Sequence, residues 1–549
     1  TNSGIVTGGG TVGGLIGENT GNISKSSLKN EAGATVIGIN NVGGLIGINT
    51  GTITGGRTNE DGTDAGYYKY QIYNNGIINV GKWTDTNKDG VIDAGEFTSD
   101  KGYNIGGLIG INTSENDKTG SLTAGYNTGA INAAGSTNVG GIVGNNEGTV
   151  DQVFNTIMTA DDSQAAAITG GTNVGGIIGS NSDTGTLSNA YNTTDVKGAD
   201  DSTGNIAGSN AGKITADEEN DNLINRGVIT GNEYVGGVAG VNTGTITNTN
   251  NNVILHATGN NAQYFGGVAG WNDKAGTIEN ATNRADIYAE NASYVGGIAG
   301  KNDGTLNGFN GNYGNVTGKD HVGGVIGENT TDITGVNAEN AGTVIATGGG
   351  AGGIFGVHTG DITNSTLKNV GTVIGTGDGG TGGLIGENSG DISTSSLKNE
   401  AGATVIGINN VGGLIGKNTG AIKGGRDDSN SYYKYQIYNN GVINVGTWTD
   451  GNNDGIVDDG EIELPTGPSD NIGGLIGSNE ANGSLSAGYN TGAINAGKSS
   501  NVGGIVGNNE GTVDQVFNTV FNSDGTNGTI TGGTNVGGII GNNSGTLLI

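Results

Sequence analysis

Cysteine is absent from these 549 residues, methionine occurs once, proline twice, and aromatic side chains make up only 5%. An ordinary globular core cannot be built from so few large apolar groups. Scarce proline, with no strict Gly-X-Y register, excludes collagen. Basic residues are few as well: 22 against 52 acidic, a net charge of −30. Such a charge repels nucleic acid and anionic membrane surfaces and favours cations. No apolar run approaches the roughly 20 residues that span a bilayer, and no basic, leucine-rich signal segment opens the chain, so neither membrane insertion nor a nucleic-acid partner is expected. Absence of cysteine suits surface proteins that cross membranes unfolded and equally suits the cytosol. Thr1 reads as a processed or excised end.

Glycine, by contrast, is abundant: 117 residues, about three times the usual ~7%. The apolar residues are gathered into short Val/Ile/Leu runs bounded by Gly and Asn, which argues against disorder. A repeat organises them: Val-Gly-Gly-(Leu/Ile/Val)-(Ile/Val/Ala)-Gly-x-Asn, first as Val12, Gly13, Gly14, Leu15, Ile16, Gly17 and Asn19. Marked by the first Gly of the pair, sixteen copies run from Gly13 to Gly537, and thirteen of the fifteen spacings lie between 27 and 35 residues. The copy at Gly204 carries Asn205 in place of the second Gly.

Six residues after the marker stands Asn in fifteen copies: Asn19, Asn49, Asn112, Asn146, Asn181, Asn210, Asn242, Asn272, Asn302, Asn329, Asn388, Asn418, Asn479, Asn509 and Asn543, with His358 taking the place once. In a stacked coil each corner Asn sits above the last and bonds along the stack, and Asn tolerates the left-handed backbone of a tight corner, so an Asn ladder is expected. Gly-x-(Ile/Leu/Val) and a third apolar stretch follow each motif, giving three strands per repeat. None is long enough to stand alone, so stacking in parallel must bury their apolar sides in a continuous column. The Gly pairs are expected to release sharp bends and to admit close backbone approach. The expectation is an all-β parallel β-helix (a β-solenoid) continuous over residues 1–549, with about 16 rungs of roughly 30 residues. At about 4.8 Å per rung that is roughly 75 Å of stack.

A longer period overlies the first, because Ser26 to Asn40 returns nearly unchanged as Ser395 to Asn409, and Asn138 to Thr156 as Asn501 to Thr519. The chain therefore holds about one and a half copies of a super-repeat of roughly 365 residues. The ends lack polar caps, so a longer parent, or copies packed end to end, is expected to cover them.

The repeat unit resembles the GLUG motif, found in tandem in large bacterial and some archaeal extracellular, adhesin-like proteins. The resemblance implies a right-handed β-helix like that of filamentous haemagglutinin, and a secreted location at the cell surface. GLUG repeats also accompany a secreted immunoglobulin-cleaving peptidase family, but His256, His321 and His358 are far apart and no His-Glu-x-x-His is present, so that activity is not carried over.

Two long spacings carry insertions, at 54–72 with 82–103 and at 423–437 with 447–470. Each contains a twelve-residue run with the ligand pattern of an EF-hand loop: Asp85, Asn87, Asp89, Val91, Asp93 and Glu96, then Asp450, Asn452, Asp454, Ile456, Asp458 and Glu461. Positions 1, 3, 5, 9 and 12 offer side-chain oxygens and position 7 a backbone carbonyl, with Gly90 or Gly455 at the turn, a set that suits calcium. Two calcium sites are expected, without flanking helices and with affinity of about 10⁻⁴ to 10⁻³ M. The plainer alternative is a pair of solvated acidic turns. A tyrosine run, Tyr67 to Tyr73 and again Tyr432 to Tyr438, reads as cover for apolar surface, with a sugar platform as the alternative. Trp271 reads as a surface or edge residue.

No catalytic group is marked, and acidic runs such as Asp217-Glu218-Glu219 or Asp200-Asp201 read as solvated turns. The expected function is a structural segment of an extracellular adhesin or fibre, stiffened by calcium, that assembles end to end or continues a longer chain, with a host or neighbouring-cell ligand. A carbohydrate-binding or carbohydrate-cleaving parallel β-helix is the alternative. Ice binding would need Thr-x-Thr on every rung, and such pairs are sporadic.

Overall fold

A computed structural model describes residues 1–56, 71–115, 118–156, 168–215, 224–225, 227–259, 262–426, 433–449, 451, 461–463, 469–520 and 528–548. Among them there is no helix, and parallel strands stack into a β-solenoid of about 16 turns. Two compact units divide these turns: Thr1–Thr258 with Val268–Ile278, and Gly259–Gly267 with Glu279–Ile549.

One turn of the first unit shows why this sequence coils. Thr137–Gly140 ends on the Gly pair, the chain bends, and Val143–Asn146 runs along a second face. After Gly148 it turns again into Thr149–Asn155 on a third face. Each strand lies parallel and in register on the same strand of the next turn: Val139 on Val174, Val143 on Ile178, Val150 on Leu187 and Asn155 on Asn192. The first face consists of two short strands, such as Ile168–Gly170 and Thr172–Gly175, separated by a single residue. In the second unit the third face is divided too, Ile362–Thr363 and Thr366–Asn369 forming separate columns.

The interior is aliphatic. Val139, Ile142, Val143, Val150 and Val153 are all fully buried. Each such side chain contributes about 1.5–3 kcal/mol of transfer free energy. Because the apolar faces cover one another only when stacked, that gain belongs to the column and not to any single turn.

The Gly pair stands at the bend and admits close backbone approach there, although neither of its residues takes a positive φ in any copy. A Cβ on Gly140 would lie 1.9 Å from the Val143 carbonyl oxygen, and one on Gly141 would lie 2.0 Å from the Gly176 oxygen of the next turn. The left-handed residue stands instead two places before the pair, as Asn41, Asn104, Asn138 and Asn173, with φ near 50°. The corner Asn six residues after the marker has no positive φ, which corrects the left-handed part of the expectation and leaves the bonding along the stack. What selects Asn there is its side-chain amide.

Asn155 accepts from the Asn127 amide at 2.9 Å and donates to Asn192 at 2.7 Å, all three being fully buried. Asn155→Ala should therefore leave buried partners unpaired and cost about 2 kcal/mol or more, whereas Thr149→Ala on the exposed face should stay within about 0.5 kcal/mol. Gly140→Ala should be the most damaging of the three. Urea unfolding midpoints of the variants check the order.

Candidate functional site

The first insertion is a hairpin. Ile77–Trp83 leaves the solenoid and pairs antiparallel with Phe97–Ser99, Trp83 opposite Phe97, so the loop Asp85 to Glu96 forms its tip and is flanked by strands. In the second insertion Trp448 pairs with Ile462. There Asp450, Asn452, Asp454, Ile456 and Asp458 lie outside the described residues, while Glu461 is described.

Within the first loop the backbone wraps on its own carboxylates. Asp85 Oδ2 accepts from Gly90 N at 3.0 Å, Asp89 Oδ1 from Val91 N at 2.8 Å, and Asn87 Oδ1 from Asp89 N at 3.1 Å. The Asn87 amide donates to both Asp89 Oδ2 (3.0 Å) and Asp93 Oδ2 (2.8 Å). Its protons stand where positive charge is wanted, between two carboxylates. Asp85 Oδ1 is buried with no hydrogen-bond partner. Val91 is 55% exposed at the loop's outer edge.

Glu96 is turned differently. Its Oε1 accepts from the Thr86 amide (2.7 Å) and hydroxyl (2.6 Å), and its Oε2 from Trp83 Nε1 and Asp93 N. The Thr86 hydroxyl, then the Thr86 amide, hold its pKa at about 2, outweighing the opposing effect of burial. In the second hairpin Glu461 accepts from Trp448 Nε1 (3.0 Å) and Gly451 N (2.9 Å), so the twelfth position clasps the loop in both copies. The structure thus gathers Asp85, Asn87, Asp89 and Asp93 at the tip and places Glu96 against the loop's N–H groups. Among the described residues no three of His, Cys, Asp or Glu approach closely enough to hold an ion as they stand.

The corner amides form a directed column. In the first unit Asn19 Nδ2 donates to Asn49 Oδ1 at 2.7 Å, and the pattern continues through Asn112, Asn146, Asn181, Asn210 and Asn242 to Asn272 at 2.7–2.8 Å. Each amide's other proton goes to a nearby carbonyl, as Asn49 to Gly51 O. The second unit repeats this from Asn302 to Asn329 and from Asn388 through Asn418, Asn479 and Asn509 to Asn543. Between those runs stands His358, whose Nδ1 meets the Asn329 amide at 3.0 Å. Burial lowers the pKa of His358 to about 4.

A second buried column lies outside the repeated motif. It runs Asn30, Asn74, Asn127, Asn155, Asn192 in the first unit and Asn283, Asn312, Asn340, Asn369, Asn399, Asn439, Asn490 in the second. Its amides lie over the second Gly of pairs such as Gly44, Gly107 and Gly141: a Cβ on Gly141 would sit 2.6 Å from Asn155 Cγ. Where Asn205 replaces that Gly, its own Oδ1 accepts from Asn192 at 2.6 Å. A third, more exposed column joins the left-handed residues, Asn104 to Asn41, Asn138 to Asn104 and Asn173 to Asn138, with the opposite donor direction. Its left-handed position holds Tyr264, Tyr294 and His321 in the second unit. There Tyr264 and Tyr294 stack at 5.0 Å and His321 packs on Tyr294.

Of the tyrosine runs, Tyr67, Tyr68, Tyr70 and Tyr432 lie outside the described residues, as does Asp217-Glu218-Glu219. Tyr73 stacks on Tyr126 at 5.2 Å and donates to Glu31 at 2.6 Å, and burial followed by that carboxylate pushes its phenol up to about 12. Tyr438 repeats the contact with Tyr489 and Glu400. Trp271 stacks on Tyr234 at 5.6 Å.

No family model matches the chain, and comparison with curated proteins and with solved structures finds none similar to it.

Because the Thr86 hydroxyl contributes most to the low pKa of Glu96, Thr86→Val should raise Glu96 from about 2 towards the ordinary value of 4.5. Carbon-detected NMR titration of the Glu96 carboxyl checks this. The carboxylate's contribution to loop order is present above the ordinary value and is lost as pH falls through about 2 in the parent protein, at a higher pH in the variant.

Proposed function

We propose that the chain is a structural segment of an extracellular adhesin or fibre, a solenoid whose task is stiff length, with calcium ordering its two hairpins. One observation carries the structural reading: turn after turn repeats the same register and the same buried amide contacts, so chemistry is spent on stacking identical units. The resemblance of the repeat to the GLUG motif points the same way. Acidic charge over the whole chain favours a cation-rich exterior.

For calcium, the supporting observations are the ordered ligand types, the Asp85-to-Gly90 wrap, the orphaned Asp85 Oδ1 and the Asn87 protons standing between two carboxylates. Asp85, Asn87, Asp89 and Asp93, with the Val91 carbonyl and Glu96, would hold the ion. The second set is Asp450, Asn452, Asp454, Ile456, Asp458 and Glu461. The bound ion would supply positive charge that cancels repulsion among four carboxylates. For Glu96 to join, it must leave Thr86, so binding and loop rearrangement are coupled.

Terbium luminescence sensitised by Trp83 and Trp448 tests the loops: calcium should displace terbium, and Glu96→Gln with Glu461→Gln should weaken binding roughly 10- to 100-fold. No sensitised emission in the parent protein would reject calcium. Electron microscopy of the native material tests the structural role separately. Filaments with an axial repeat of about 4.8 Å, loosened by a chelator, are expected, and compact particles would reject it.

A further inference from the structure

The corner column of the second unit has one titratable member. Its donor direction is uniform: Asn302 donates to Asn329, and Asn329 donates both to the Thr331 carbonyl and towards His358 Nδ1. Nδ1 is therefore the unprotonated nitrogen and the proton sits on Nε2. Asn388 continues the column by donating to Asn418. The step between His358 and Asn388 is unmade, since buried Nε2 has no hydrogen-bond partner and neither has buried Asn388 Oδ1. The Gly360 carbonyl, two residues on, opposes the fall in pKa but is not in hydrogen-bonding geometry.

Beside this break lies a cavity of about 300 Å³, bordered by Val357, Asn388, Glu387, Lys417 and Glu480 as well as by His358 itself. Glu387 and Lys417 approach to 3.8 Å, and Glu480 accepts from Ser478. The charged groups around the imidazole are Glu328 and Asp332 on the preceding turn, Asp361 on its own, and Glu387, Asp391, Lys417 and Glu480 on those that follow. Carboxylates outnumber the ammonium groups, which are Lys417 and the Lys301 that pairs with Glu328 at 3.6 Å.

We propose that His358 is an acid-operated joint in the amide column: neutral, it fills the column between Asn329 and Asn388, and protonated, it swings into the neighbouring cavity between Glu387 and Glu480. This inference goes beyond the structural reading and does not depend on it. A proton on Nδ1 would face the Asn329 amide, donor against donor. Asn329 cannot turn its oxygen round without losing its bond to the Thr331 carbonyl and setting its nitrogen against the Asn302 amide, so the mismatch cannot be absorbed locally. The cavity supplies what the column then lacks, room and negative charge. Amide-to-amide steps hold no titrating group and have no such alternative.

The sign follows from burial. His358 is held at about 4 against an ordinary 6.5, so the closed step is fully stable above 6.5 and weakens as pH falls from 6.5 to about 4, below which the loss levels off. The opening constant should rise about tenfold per pH unit across that window, some 300-fold in all. Hydrogen exchange of the full chain, corrected for intrinsic rates, reads it: Phe355–His358 and Ile385–Asn388 should lose protection between pH 6.5 and 4, while Val506–Asn509 should not. His358→Asn restores the amide column and should abolish the local loss, and Glu387→Gln with Glu480→Gln should shrink it. Equal loss in His358→Asn, or no loss confined to those two strands, would overturn the joint.

Discussion

Everything in this fold depends on the match between one turn and the next. A parallel stack of short strands has no other means of covering its apolar faces, and each strand is too short to persist alone. The buried amide columns make that match exact in register. An Asn displaced by one residue would leave its donor and acceptor unsatisfied in the interior, which costs more than any single contact contributes. Aliphatic burial supplies the bulk of the driving force without direction, and the amides supply the direction.

That division explains the composition. Two columns of buried amides need backbone close beside them, and only glycine admits it, as the 2.6 Å approach of Asn155 Cγ to a would-be Cβ on Gly141 shows. Glycine weakens an isolated strand, but here the amide that replaces its side chain is bonded above and below. The exception at Asn205 obeys the same logic, because the intruding side chain becomes an acceptor for Asn192. His358 is the other exception, and there the replacement accepts on one side and leaves the other side unmade.

The hairpins obey a different economy. They leave the column at fixed places in the super-repeat and fold on local bonds, their acidic tips closed by a Glu that clasps backbone amides. Their ligand pattern was plain in the sequence because an ion-binding loop is local: its chemistry depends on spacing within twelve residues. The direction in which Glu96 points was not, since it is set by Thr86 and Trp83 across the hairpin.

Period, composition and the position six residues after each Gly pair were enough to reveal a coil of about 16 turns with an amide at one corner, because that segment never varies in length. The second column was hidden for the opposite reason. Asn30 lies 13 residues before its Gly marker, Asn155 lies 20 and Asn439 lies 34, and only folding brings them over one another by letting the intervening loops bulge outwards. Which residue takes the left-handed corner was likewise settled in three dimensions, since Asn, Ser, Tyr and His all occupy it. Backbone geometry imposed by the stack decides that conformation, and the stack then bonds or packs whatever side chain it finds there.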